Sequence, residues 1–83
     1  MKVMERNLGQ SLMVGDRELT ITRITIEWIT VLLDDGTECD ILLGEIFRIG
    51  ETVLSFKWLA MNTIELTISP LNKQTFQREL MCA

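Results

Sequence analysis

The chain has 83 residues, of which 47% are hydrophobic and 24% charged, and its formal net charge is -4. This length supports one domain with a small core, and the composition excludes a disordered chain. The negative charge opposes general attraction to phosphate backbones or anionic lipid, so any nucleic-acid site has to be local. We therefore expect a single small domain that gains stability if two copies share a core.

The cysteines and the apolar stretches restrict the class of protein further. The sequence has no histidine, and its two cysteines, Cys39 and Cys82, do not form a C-x-x-C pair, so no zinc site is expected. No stretch approaches the roughly 18 apolar residues that span a bilayer. We expect a cytoplasmic protein with reduced thiols, without a cofactor and without a membrane partner.

The first elements predicted along the chain are strands. Residues 1–5 fit an edge strand, and Leu8–Gly15 fits a short strand that enters a glycine turn. Apolar residues alternate through Leu19–Leu33 but change phase twice. Because each one-residue slip sends side chains to the opposite face of a sheet, the changes predict a bulge near Arg23 and a hairpin turn near Glu27.

The second part of the chain predicts further hairpins. Asp34–Gly36 is a turn, and a strand follows in residues 38–43. Residues 45–49 fit either a strand or a short helical turn. Alternation in residues 52–68 predicts another hairpin, which Pro70 ends because proline cannot donate a backbone hydrogen bond.

These elements predict an all-β fold, a small antiparallel sheet or barrel of hairpins with a short C-terminal helix that begins at Asn72. Gly50–Leu54 echoes Gly9–Met13, which indicates either an internal repeat of about 40 residues or two unrelated hairpins of similar pattern. We predict a single domain with three parts: residues 1–48, a second hairpin at 49–72 and a tail at 73–83.

Catalytic and metal sites have little support in the sequence. Without histidine, no Ser-His or Cys-His pair can form, and no phosphate-binding glycine motif is present, so we do not expect an enzyme. Four carboxylates within seven residues could hold a hard cation, but their spacing does not fit an EF-hand loop. A solvated acidic turn is the favoured interpretation for these residues, which are Asp34, Asp35, Glu38 and Asp40.

Aromatic and basic residues are the better candidates for binding. Trp28 and Trp58 could stack on bases or anchor a protein partner, although core packing is the commoner role of such residues. Half of the eight basic residues lie in the first 23 positions, whereas the middle of the chain is acidic. The basic residues in question are Lys2, Arg6, Arg17 and Arg23.

The segment Met1–Asp16, M-K-V-M-E-R-N-L-G-Q-S-L-M-V-G-D, resembles the opening of the CsrA/RsmA carbon storage regulators, whose pattern is M-L-I-L-T-R-R-x-G-E-x-L-x-I-G-D. In addition, Glu45–Phe47 resembles the family's E-E-I-Y, so the resemblance covers about residues 1–48. It implies a small dimer of interleaved β-strands that binds GGA-containing messenger RNA leaders and controls translation. The positions that match the opening pattern are Arg6, Gly9, Leu12, Gly15 and Asp16.

The two RNA-reading motifs of that family are only partly present. Its first-strand L-T-R-R corresponds to Met4–Asn7, which keeps Arg6 and gains a carboxylate. Its V-H-R-E corresponds to Leu42–Glu45, which lacks the arginine. Both differences remove donors for phosphates or base edges.

Two hypotheses of function follow. The first is a CsrA-like RNA-binding homodimer of bacterial or phage origin that regulates translation. Its contacts would be Arg6, Met4, Lys2, Arg17 and Arg23. The alternative is a protein-interaction module, an inhibitor or adaptor, that has lost RNA binding and uses the acidic surface of Asp34, Asp35, Glu38 and Asp40.

Overall fold

A computed structural model describes residues 1–70 and the backbone of residues 78 and 79. These residues form β-strands and turns and contain no helix, which confirms the predicted all-β class. The strands are β1 (Lys2–Asn7), β2 (Ser11–Val14), β3 (Arg17–Ile24), β4 (Trp28–Leu33), β5 (Glu38–Leu42), β6 (Ile46–Ile49), β7 (Thr52–Ala60), β8 (Thr63–Pro70) and β9 (Arg78–Glu79).

The strands form two sheets that share one core. The first sheet has the order β1-β8-β7-β6-β9, and the second has the order β2-β3-β4-β5. All pairings are antiparallel except that of β6 with β9. Alternate residues of each strand face inward and exclude water from the space between the sheets. The largest fully buried side chains are those of Phe56, Leu19, Ile21, Ile29, Ile41, Leu54, Ile64 and Leu66.

Several local predictions are confirmed. The register of β3 against β4 shifts between Ile21 and Arg23, where the phase of the apolar pattern changes. Gly36, in the turn after β4, has a φ of 87°, which glycine adopts without steric cost. The segment at 45–49, which fitted either a strand or a helical turn, contains β6.

An internal repeat is present, but its interval is 35 residues and not about 40. Gly9 and Gly44 have φ values of 88° and 87°, and Gly15 and Gly50 have φ values of 63° and 59°. The counterpart of Gly9 is therefore Gly44. The predicted match between Gly9 and Gly50 is wrong, because it aligned the glycine before β2 with the glycine after β6.

The first half of the repeat contains β1 to β4, and the second half contains β5 to β8. The two halves exchange their first strands, β1 and β5. In the first half, β4 pairs with β5, and in the second half β8 pairs with β1. Met4 lies opposite Leu66, and Cys39 lies opposite Val31. The two registers are equivalent, because Cys39 is the counterpart of Met4 and Leu66 is the counterpart of Val31 at the interval of 35 residues. Each exchanged strand pairs with the last long strand of the other half, so each half completes its sheet with a strand from the other.

The ends of the exchanged strands repeat as well. The Leu8 N–H donates to the Asn62 carbonyl at 2.8 Å, and the Leu43 N–H donates to the Glu27 carbonyl at 2.9 Å. Each hairpin tip thus holds the residue that follows the strand received from the other half. The interleaving that the family resemblance implies for two subunits occurs here between two halves of one chain. The homodimer itself stays a prediction.

The C-terminal part of the chain differs from expectation where it is described. The predicted helix after Pro70 lies outside the described residues except for Arg78 and Glu79, and these two form strand β9.

Cys39 is disulfide-bonded, so the predicted reduced thiol is wrong for this residue. No helix in the described part of the chain is long and apolar enough to cross a membrane.

Candidate nucleic-acid interface

The residues predicted to bind RNA on the first strand line one groove. It runs between β1, an edge strand of the first sheet, and β2, an edge strand of the second. Its volume is about 410 Å³. We call it the β1–β2 groove, and its lining residues are Lys2, Met4, Arg6, Ser11, Leu12, Met13 and Glu18.

The alternation of β1 explains why both cations face this groove. Lys2, Met4 and Arg6 lie at every second position, so their side chains share one face of the strand. Their partners on β8 are the core residues Ile68, Leu66 and Ile64, so this is the inward face. Because β1 is an edge strand, its inward face reaches the rim of the core, where charged ends can contact water.

The guanidinium of Arg6 is held in place by backbone oxygens. Its Nε donates to the Ser11 carbonyl at 3.3 Å, and its Nη1 donates to the Glu5 carbonyl at 2.8 Å. A guanidinium carries five N–H donors, so three remain for a ligand. The first bond also connects β1 to β2, which fixes the arginine across the groove.

The charges of the groove are mixed but favour an anion near β1. In the part of the chain that the structure describes, neither Lys2 nor Arg6 forms an ion pair. Glu18 lies on the opposite wall and limits the positive potential. Met13, which is 59% exposed, adds an apolar surface beside these charges.

Arg17 lies outside the groove and is already paired. Its Nε is 2.9 Å from Asp34 Oδ1, and its Nη2 is 3.6 Å from Asp35 Oδ2. The hydrogen bond and charge of Asp34 raise the pKa of Arg17 above its ordinary value. A phosphate would therefore have to compete with two carboxylates for this residue.

Arg23 lies at the far end of β3 from Arg17. Its guanidinium carbon is 5.1 Å from the centre of the Trp28 ring, a cation–π distance. Trp28 is half-buried, and neither it nor Arg23 lines the β1–β2 groove. The structure brings Lys2, Met4 and Arg6 together, and it places Arg17 and Arg23 elsewhere.

The four acidic residues do not converge either. Asp34 and Asp35 lie in the turn that contacts Arg17, and hydrogen bonds from Thr37 lower the pKa of Asp35. Glu38 and Asp40 lie on the outward face of β5, where Asp40 Oδ1 accepts a 2.7 Å hydrogen bond from Thr30 Oγ1. Among the described residues, no group of three or more His, Cys, Asp or Glu could hold a metal ion.

The repeat places a counterpart of the β1–β2 groove between β5 and β6. Cys39 and Ile41 stand where the first half has Met4 and Arg6, and both are buried. Strand β9 pairs with β6 at Phe47 and Arg48, the counterparts of Leu12 and Met13. The β5–β6 groove is therefore closed by the chain itself, whereas no described residue pairs with the matching edge of β2.

Trp58 lines a separate groove beside β7 and β8, together with Lys57, Ser55 and Thr67. The ring is 38% exposed, so it contributes partly to packing. At the interval of 35 residues, the counterpart of Trp58 is Arg23 and the counterpart of Trp28 is Thr63. The two tryptophans therefore do not occupy equivalent positions in the two halves. The two rings therefore do not form an equivalent pair of surfaces on which bases could stack.

Sequence reasoning missed the β2 side of the groove. Ser11 and Met13 alternate on β2, and this pattern could have assigned them to one exposed face. Their position opposite Arg6 could not have been found, because β1 and β2 meet through the distant pairing of β1 with β8.

Comparison of the chain with models of protein families, with curated proteins and with solved structures gives no match.

Proposed function

We propose that this protein is a CsrA-like RNA-binding regulator that contacts single-stranded RNA at the β1–β2 groove and controls translation by binding, without catalysis. The observation that carries the proposal is the joint presentation of Lys2 and Arg6 on one face of an edge strand. Neither cation is neutralised by an ion pair within residues 1–70.

The chemistry of the groove fits a nucleotide strand. The free N–H groups of Arg6 suit a phosphate or the O6 and N7 atoms of guanine, which arginine binds in a bidentate manner. Lys2 adds a point charge for a neighbouring phosphate. Met4 and Met13 offer apolar surface to a base between these contacts.

The architecture gives independent support. The resemblance of residues 1–48 to the carbon storage regulators implies strands exchanged between two units, with the RNA read at the first strand. In this chain β1 and β5 are exchanged between two halves in equivalent registers. The proposed contacts lie on β1, one of these exchanged strands.

Cellular location follows from the proposal. A translational regulator acts in the cytoplasm, where thiol reductants keep most cysteines reduced. Cys39 is only 2% exposed, and a buried disulfide is more resistant to reduction than an exposed one. We propose that burial preserves the Cys39 disulfide there.

The test is titration of a GGA-containing RNA hairpin with the unmodified protein and with Arg6→Ala at low salt. Loss of a good base or phosphate contact should weaken binding by about 1 to 3 kcal/mol, roughly 5- to 150-fold. Lys57→Ala is the matched control, because it removes the same charge from an exposed position that does not line the groove. Its effect should be much smaller.

Salt dependence tests the number of phosphate contacts. If Lys2 and Arg6 each neutralise one phosphate of a single strand, the logarithm of the binding constant should fall with the logarithm of salt concentration with a slope of about -1.4. No measurable binding by the unmodified protein at low salt would refute RNA binding. The protein-interaction alternative would then be the hypothesis to test, and it predicts that Asp34→Lys weakens a complex while Arg6→Ala does little.

A further inference from the structure

We infer that the protein binds one RNA target segment per chain, although its fold repeats. The inference rests on the proposed function. It names the substrate class as RNAs that each chain binds at one recognition segment and not at two. A symmetric arrangement of two units would present two equivalent grooves. Among the described residues, one of the two grooves is open and charged, and the other is lined by buried residues.

The first observation is the identity of the counterpart residues. At the interval of 35 residues, Thr37 and Ile41 replace the two cations Lys2 and Arg6. Ile41 is fully buried, whereas Arg6 is half-buried and keeps free donors. The wall residue Glu18 has the buried Val53 as its counterpart. The second groove therefore has no counterparts of the cations Lys2 and Arg6, and its residues Ile41 and Val53 are buried in the core.

Arg48 is a basic residue of β6, on the strand edge that borders the second groove. It corresponds to Met13, lies opposite Glu79 in the pairing with β9, and has an interaction within the chain. An RNA phosphate would have to displace both that interaction and a paired strand. Strand displacement breaks backbone hydrogen bonds and leaves buried polar groups unsatisfied, which is costly.

The second observation is the occupied edge of β6. Strand β9 pairs with this edge in a parallel register, at Phe47 and Arg48. Within the described residues no strand lies on the corresponding edge of β2, at Leu12 and Met13. The open groove and the closed groove thus differ in backbone pairing as well as in charge.

The connectivity of the chain explains this difference. After β8 the second half continues to β9, but after β4 the first half passes through a short turn, residues 34–37, directly into β5. Because β5 belongs to the second half, the first half has no segment left to cover the edge of β2. The described strands therefore cover the edge of β6 and leave the edge of β2 without a pairing strand.

The experiment is native mass spectrometry, together with calorimetric titration, of the full chain with two RNAs. One RNA carries a single GGA hairpin, and the other carries two GGA hairpins separated by a flexible spacer. Arg6→Ala tests the open groove, and Arg48→Ala is the matched arginine deletion in the closed groove. Circular dichroism and thermal unfolding verify that both variants are folded.

We expect one single-hairpin RNA per chain, a loss of affinity of roughly 5- to 150-fold for Arg6→Ala, and less than a 2-fold change for folded Arg48→Ala. The RNA with two hairpins should bind two chains. Two RNAs on one chain, or sensitivity to Arg48→Ala alone, would overturn the inference while leaving RNA binding in place. Failure of the unmodified protein to bind either RNA would overturn the proposed function itself.

Discussion

The two halves of this protein have nearly the same backbone and different edges. Ile29 and Ile64, at the same place in β4 and β8, are both fully buried. The edges diverge, because the first half presents Arg6 in an open groove whereas the second presents the buried Ile41 beneath β9. A shared core thus preserves the repeat, and the strands at its rim determine what each half can bind.

The largest expected effect tests whether the halves form one folding unit. Ile29→Ala and Ile64→Ala should each lower the free energy of unfolding by about 2 to 5 kcal/mol, because each leaves a cavity at a fully buried site. Since β1 and β5 are exchanged, both variants should unfold in one cooperative transition in urea. A transition with two steps in either variant would contradict the interlocked arrangement.

The second effect concerns the closed groove. Unfolding exposes the disulfide at Cys39 to an added thiol reductant, so the reductant should lower the free energy of unfolding by about 2 to 4 kcal/mol by removing a constraint on the unfolded chain. Thermal unfolding with and without reductant measures the difference. Cys39→Ser is the control, since the reductant should not alter its transition. An unchanged transition in the unmodified protein would show that the disulfide adds no stability.

A smaller effect compares the matched turns. Gly9→Ala and Gly44→Ala should each cost about 1 to 2 kcal/mol, because both glycines have a positive φ that other residues resist. A methyl group at either position would meet nothing within 4 Å, so the cost should come from the backbone alone. Urea unfolding of the two variants should give similar losses. A difference of several kcal/mol would break the equivalence of the halves.

The smallest effect is at the turn that joins the halves. Hydrogen bonds from Thr37 hold the pKa of Asp35 below its ordinary value of 3.8. Since the folded state favours the carboxylate, this group stabilises the fold above its ordinary pKa, and that stabilisation is lost as pH falls through the lower folded pKa. Asp35→Asn should flatten the acid limb of the stability curve. Asp16→Asn removes the same charge from the turn after β2 and is the control for the loss of one carboxylate.

Local features of the fold could be predicted because they depend on neighbouring residues. The phase change of the apolar pattern located the bulge at Arg23, and Asp34–Gly36 located a turn. The repeat was also accessible, since Gly9 and Gly15 have the same spacing as Gly44 and Gly50. It was misaligned because Gly50 is followed by a similar apolar pattern.

The candidate site could be predicted only in part. Lys2, Met4 and Arg6 were among the predicted RNA contacts, and the structure brings these three together along one groove. The remaining wall depends on which strands are neighbours in space, and strand order is set by distant pairings that alternation does not encode. For the same reason, the pairing of Arg17 with Asp34 across 17 positions was not foreseen.

The pairing of β1 with β8 also constrains how the protein is made. Lys2 lies opposite Ile68, so β1 finds its partner only after β8 has been synthesised. During elongation β1 has no native neighbour along its length, and its apolar side chains are available to incorrect partners. Such a distant contact also slows folding, because a long loop has to close before it forms. Efficient production of this protein therefore depends on β1 remaining unpaired until β8 has been synthesised.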